Sequence, residues 1–277
     1  MKRIILFLFV LLGMLSNSGE LYASHGMGGE ITWTCLGSGQ FKFRLKFYRD
    51  CNGITPGNVL SMATTVPGVP SISMSLTQQN DISPNGTTSN GVGSCPNCPQ
   101  GNSGNPIAGL VEEYIYESAP VTLNGIPPAA GWTFSWGECC RSNALTNITG
   151  GGGIGFANRA VMYPFNGQNT NICYDSSPFF AEKPSTIICT GYPFKYNPNA
   201  VDPELDSLVY SWGQPIDEFL TPIPFAPGYN VNSQLPSATQ NPANVAATIH
   251  PNTGEISYTS FTGGYFATVV KVTAYKC

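Results

Sequence analysis

Apolar side chains recur at every second residue through much of this chain, a period that suits extended strands and not helices. Phe41, Phe43, Leu45 and Phe47 alternate with Lys42, Arg44 and Lys46. In an extended segment the apolar set lies on one face and the cations on the other. Upstream, Ile31, Trp33 and Cys35 alternate with Glu30, Thr32 and Thr34. Gly37-Ser38-Gly39-Gln40 joins the two runs, so residues 29–49 are predicted as a β-hairpin. Further strands are expected at Ile72, Met74 and Leu76, at Val121 and Leu123, and at Trp132, Phe134 and Trp136. Others are expected at Phe156 to Tyr163, at Leu208, Tyr210 and Trp212, at Ile256 and Tyr258, and at Tyr265 to Tyr275. No long window shows a 3.6-residue period bounded by caps. With 31 Gly and 23 Pro, turns are dense. The expected class is all-β, as two consecutive β-sandwich modules.

The N-terminus reads as an export signal. Lys2 and Arg3 form a basic head, Ile4 to Leu15 an apolar core, and Leu21-Tyr22-Ala23 a small-residue cleavage site. The apolar run is well short of the roughly 20 residues that span a bilayer, and no later segment is apolar enough to do so. Residues 1–23 are therefore expected to be a cleaved signal peptide, with the remainder extracellular or on the outer cell surface. Charged residues make up 10% of the chain, against about 25% in ordinary soluble domains. The net charge of −4, without clustered basic residues, argues against a nucleic-acid partner. All nine cysteines follow the signal, and in an oxidising compartment they read as disulfides.

Two stretches interrupt the alternation. Residues 77–109 are rich in Gly, Asn, Ser and Pro and contain Cys95 and Cys98, a long loop with a local crosslink. Residues 146–155 include a run of glycines. A boundary is expected near Asn171 to Ser177. It gives a β-rich first module over 24–172 and a second sandwich over 173–277.

Several segments carry a family likeness. Gly28-Gly29-Glu30-Ile31-Thr32-Trp33, then Leu45-Lys46-Phe47-Tyr48-Arg49-Asp50-Cys51-Asn52-Gly53, resemble the N-terminal region of gliding-motility-associated, adhesin-like surface proteins exported by type IX secretion. Trp132 to Trp136, leading into Cys139-Cys140-Arg141-Ser142-Asn143-Ala144, looks like a second signature of that family. Residues 176–277 resemble a cadherin-like or immunoglobulin-like module, through Ser176 to Phe179, Val201-Asp202-Pro203-Glu204-Leu205-Asp206-Ser207-Leu208 and Pro251 to Ile256. The resemblance implies surface display and a non-catalytic role in adhesion or extracellular matrix. The partners it implies are other modules of the same longer chain, and cell-surface or matrix glycans or proteins. It also implies that this chain is the N-terminal part of a longer one.

Asp202, Glu204 and Asp206 are the leading site candidate. They recur at alternate positions, so an extended segment would point all three one way. Clustered oxygens of this kind suit calcium, with Asn197 and Asn199 near in sequence. A solvated acidic turn is the other reading. The related modules carry Asp-Pro-Asp-Gly-Asp here, whereas this chain has Glu204 and Leu205, and Leu gives up glycine's access to positive φ.

The disulfide candidates are Cys35, Cys51, Cys95, Cys98, Cys139, Cys140, Cys173 and Cys189, with Cys277 left over. Cys173 and Cys189 are expected to close a loop, as are Cys95 and Cys98. Cys35, Cys51, Cys139 and Cys140 are expected to pair among themselves, the adjacent two bonding outward, since a vicinal bridge strains the peptide. Gly150, Gly152 and Gly155 match a dinucleotide fingerprint, but a strand-like stretch follows where that motif needs a helix. No catalytic residue is proposed. A carbohydrate-binding module using Trp132 and Trp136, or a hydrolase using a pair from Glu112, Glu113, Glu117 and Glu138, are the alternatives.

Overall fold

The computed structural model describes residues 26–50, 53–82, 111–150, 153–165, 175–184 and 188–276. They form an all-β protein with no α-helix among the described residues. The expected signal peptide lies outside them, and so does residues 83–110, the greater part of the expected long loop. No helix of the described residues is long and apolar enough to cross a membrane.

The hairpin read from the alternation is β1 (Gly26–Gly37) and β2 (Gln40–Asp50). Its turn uses positive φ at Ser38 and Gly39, as a two-residue hairpin turn requires. There follow β3 (Val59–Thr64), β4 (Ser71–Asp81), β5 (Val111–Ser118), β6 (Val121–Thr122), β7 (Trp132–Glu138) and β8 (Phe156–Met162). They make one antiparallel sheet in the order β1-β2-β5-β4-β3-β7-β8, with β6 on β2. The sheet curls until β8 lies against β1. A methyl placed on Gly26 would strike the Phe156 ring, and one on Gly29 would strike the Lys46 carbonyl and Asn158. Glycine there lets the two ends of the sheet approach closely.

The predicted inward face of β2 is the core. Phe41, Phe43, Leu45 and Phe47 are all buried, with Trp33, Met62, Met74, Tyr114, Tyr116, Phe134, Trp136 and Phe156 around them. Phe43 sits 4.6 Å from Phe134, and Phe47 lies 5.0 Å from Trp136, ring centre to ring centre. Each such ring contributes about 2–3 kcal/mol by leaving water.

β9 (Phe179–Phe180) and β11 (Ala200–Val201) pair with each other, as do β12 (Ser207–Trp212) and β15 (Val270–Tyr275). β10 (Pro193–Tyr196), β14 (Ile256–Thr259) and β13 (Val245–Ile249) form a three-stranded sheet in that order. Phe194 and Ile256 from the three-stranded sheet meet Trp212 and Val270 from the β12–β15 pair over Leu235 and Tyr258.

Contacts run across the junction between the halves. Ser176 and Ser177 cover the outer edge of β1. The Trp33 N–H donates to Ser177 Oγ at 2.8 Å, and the Ser177 N–H donates to the Trp33 carbonyl at 3.0 Å. The Cys35 N–H donates to Ser176 Oγ at 3.1 Å. Side-chain oxygens thus stand in for a partner strand on an edge that would otherwise be open. Farther along, Leu145 bridges Tyr265 and Ile148 bridges Phe225. Asn147, 0% exposed, is the polar centre of this seam. Its Nδ2 donates to the carbonyls of Gln234 and Ala267, both at 2.7 Å, and its Oδ1 accepts the Ala267 N–H at 2.8 Å. Arg141 adds a second stitch, donating to the carbonyls of Gly155 and Ile216. Burial pushes its pKa down to about 10, against the attraction of Glu218.

The structure departs from the expected strands in three places. Residues 77–81 continue β4, with a register shift between Leu76 and Gln78. The Val121–Leu123 strand shrinks to two residues. Residues 265–269 lie outside β15, because Tyr265 is engaged with Leu145 and Thr146 of the first half.

Candidate functional site

The Asp202 turn is built by its own carboxylate. Asp202 is buried, and its Oδ1 accepts the N–H groups of Glu204 and Asp206, each at 3.0 Å. The Leu205 N–H closes the turn onto the Asp202 carbonyl at 3.2 Å. Leu205 takes φ 65° even without glycine, and its side chain stands 84% exposed. A second turn has the same build. Asp217 Oδ1 accepts from Phe219 and Thr221, the Leu220 N–H donates to the Asp217 carbonyl, and Leu220 also has φ 65°. Phe219 at its tip is 80% exposed. The shared sequence signal is an Asp with a Leu three residues later, too short to single out in advance.

A leucine in the left-handed region costs roughly 1 kcal/mol or more. Leu205→Gly is therefore expected to raise stability by about 1 kcal/mol, less what glycine's unfolded-state freedom takes back. Urea denaturation checks this. A destabilised variant would mean that the exposed Leu205 side chain makes contacts worth more than the backbone cost.

The three candidate ligands do not converge. Glu204 Oε2 accepts the Ser176 N–H at 3.0 Å. Asp206 Oδ2 lies 2.6 Å from the Lys276 ammonium, which also reaches Asp175 Oδ1 at 3.2 Å. Asp202 Oδ2 is buried without a hydrogen-bond partner. Burial pushes the Asp175 carboxyl up to about 6, partly offset by Lys276 and reinforced by Glu204 and Asp206. Burial works against the Lys276 charge, but Asp206 and Asp175 outweigh it and push its pKa up. No group of three or more His, Cys, Asp or Glu side chains among the described residues is placed to hold a metal ion. Calcium takes about six to eight oxygens. The residues present do not fit it: one oxygen caps the turn, another binds a backbone amide, and a cation already stands against the third carboxylate. Asn197 helps only locally, its Oδ1 accepting the Asn199 N–H at 2.8 Å.

The hydrolase candidates are dispersed among separate partners. Buried Glu112 receives Arg49 Nε at 3.0 Å and Arg49 Nη2, the Tyr114 hydroxyl at 2.8 Å and Gln79 Nε2 at 3.3 Å. Glu113 accepts from Asn80 Nδ2 at 3.0 Å. Glu117 receives Lys42 and Arg44, whose hydrogen bonds hold its carboxyl below the usual range. Glu138 ends β7, where burial raises its pKa. Trp132 and Trp136 are buried, the latter edge-on to Phe47 and Phe156. The sugar-platform reading at those two rings is thereby corrected, since the face they share looks into the core.

The cysteines also differ from expectation. Cys139 and Cys140 bond to each other, and the peptide between them is cis. The expectation that they bond outward, to Cys35 or Cys51, is not met, and for Cys35 the strand direction gives the reason. Glu138 pairs with Phe156, and Phe156 lies against Gly26 at the start of β1. Cys35 lies near the other end of that strand, roughly 30 Å away at the rise of an extended chain. A disulfide needs Cα atoms within about 7 Å. Cys35 is nevertheless disulfide-bonded. Cys189 carries a free, exposed thiol, so the expected closure with Cys173 is not made. Cys51, Cys95, Cys98, Cys173 and Cys277 lie outside the described residues. Downstream of the glycine run, Phe156–Met162 is a strand, so the dinucleotide fingerprint lacks its helix.

Comparison of the chain with protein-family models, with curated proteins and with solved structures finds no match.

Proposed function

We propose that this chain is a non-catalytic, contact-making module of an exported cell-surface protein, acting in adhesion or extracellular matrix. The observation that carries the reading is the pair of self-braced turns that hold Leu205 and Phe219 out into solvent. Apolar side chains fixed on rigid tips lose little entropy when a partner covers them. Tyr192, 70% exposed, adds a ring with an apolar body and a polar end, the kind of side chain favoured at interfaces. The signal-like N-terminus and the type IX family resemblance support export and display.

The test is protease shaving of intact cells that express the native gene, followed by immunodetection with antibodies to this chain. Surface display predicts loss of the signal without lysis, and weaker attachment of cells lacking the gene. Full protection until the cells are lysed would overturn the reading.

A further inference from the structure

We infer that the cation around which this acidic cluster is organised is the chain's own Lys276, which makes the junction between the two halves independent of calcium. Three segments meet at the ammonium. Asp206 belongs to the Asp202 turn, and its side chain is only 7% exposed. Asp175 lies on the segment that joins the halves, and its carbonyl accepts Trp33 Nε1 at 3.3 Å. Lys276 directly follows β15, and its side chain is 20% exposed. One ammonium therefore ties the turn, the junction and a strand, the role that a bound divalent ion would otherwise take. An ion that drew these carboxylates together would compete with the hydrogen bonds and the ion pair that they already make. Asp202 Oδ1 is held by two N–H groups, and Glu204 Oε2 is held by the Ser176 N–H. A lysine supplies only one positive charge, but it is covalently part of the chain and needs no external supply.

The experiment uses the secreted chain with its disulfides intact. Its melting temperature is measured with excess calcium and with a chelator, and calcium binding is measured by titration calorimetry. The expected result is an unchanged melt and no binding heat. Lys276→Met, which keeps the stem and removes the charge, is expected to melt at least 5 °C lower. Lys276→Arg is expected to recover most of that loss. A calcium-dependent rise in the wild-type melt would overturn the inference, as would a Lys276→Met variant that melts with the wild type. Should Lys276→Met fail to fold, the wild-type calcium arm still decides.

Discussion

Glu112→Ala is expected to destabilise the protein by about 3–5 kcal/mol, because it strands the buried Arg49 charge. Arg49 and Glu112 are 2% and 3% exposed. The guanidinium also donates to the Gly53 carbonyl and to Thr55 Oγ1. Those neutral acceptors cannot compensate a full charge away from water. The Tyr114 hydroxyl would lose its acceptor as well, and burial together with that hydrogen bond already raises its pKa above the ordinary value. A contrast makes the test specific. Glu117 faces Lys42 and Arg44, whose side chains are 42% and 51% exposed. Glu117→Ala is expected to cost under about 1 kcal/mol. Urea denaturation of both variants gives the comparison, and equal losses would contradict the assignment of the buried pair.

Asn147→Leu is expected to cost roughly 3 kcal/mol or more. The leucine leaves the carbonyls of Gln234 and Ala267 and the Ala267 N–H without the side chain that satisfies them, and each unsatisfied buried group costs about 1–3 kcal/mol. The loss is expected in both halves at once. Hydrogen exchange should rise in β7 and in β14 to the same extent. Faster exchange confined to β14 would mean that the seam holds only the second half.

These two sites mark where the sequence was legible and where it was not. The β1–β2 hairpin was plain, since Phe41 to Phe47 alternate against cations and the turn glycines sit between the runs. β5 was not singled out, although it lies between β2 and β4 in the sheet. Both of its faces are covered, so Val111 to Ser118 shows no apolar–polar alternation. Its glutamates read as members of a candidate carboxylate pair, yet Glu112 and Glu113 are buried with separate polar partners from β2 and β4. The acidic triad was visible as spacing. The ammonium that stands against Asp206 belongs to Lys276, about seventy residues downstream, which no local pattern links to the triad. The Cys139–Cys140 bridge and the free Cys189 were not legible either: strand order decides which ends meet, and the spacing of cysteines carries no strand order. Asn147 lies beside a glycine run that reads as a loose loop, whereas its side chain joins the two halves.

The hydrogen bonds of Ser176, Ser177 and Asn147 join the two sandwich-like halves, so the halves are expected to unfold together. Differential scanning calorimetry of the chain, disulfides intact, tests it most directly. A single transition is expected, in which the calorimetric and van't Hoff enthalpies agree. Two resolved transitions, or a calorimetric enthalpy about twice the van't Hoff value, would contradict it.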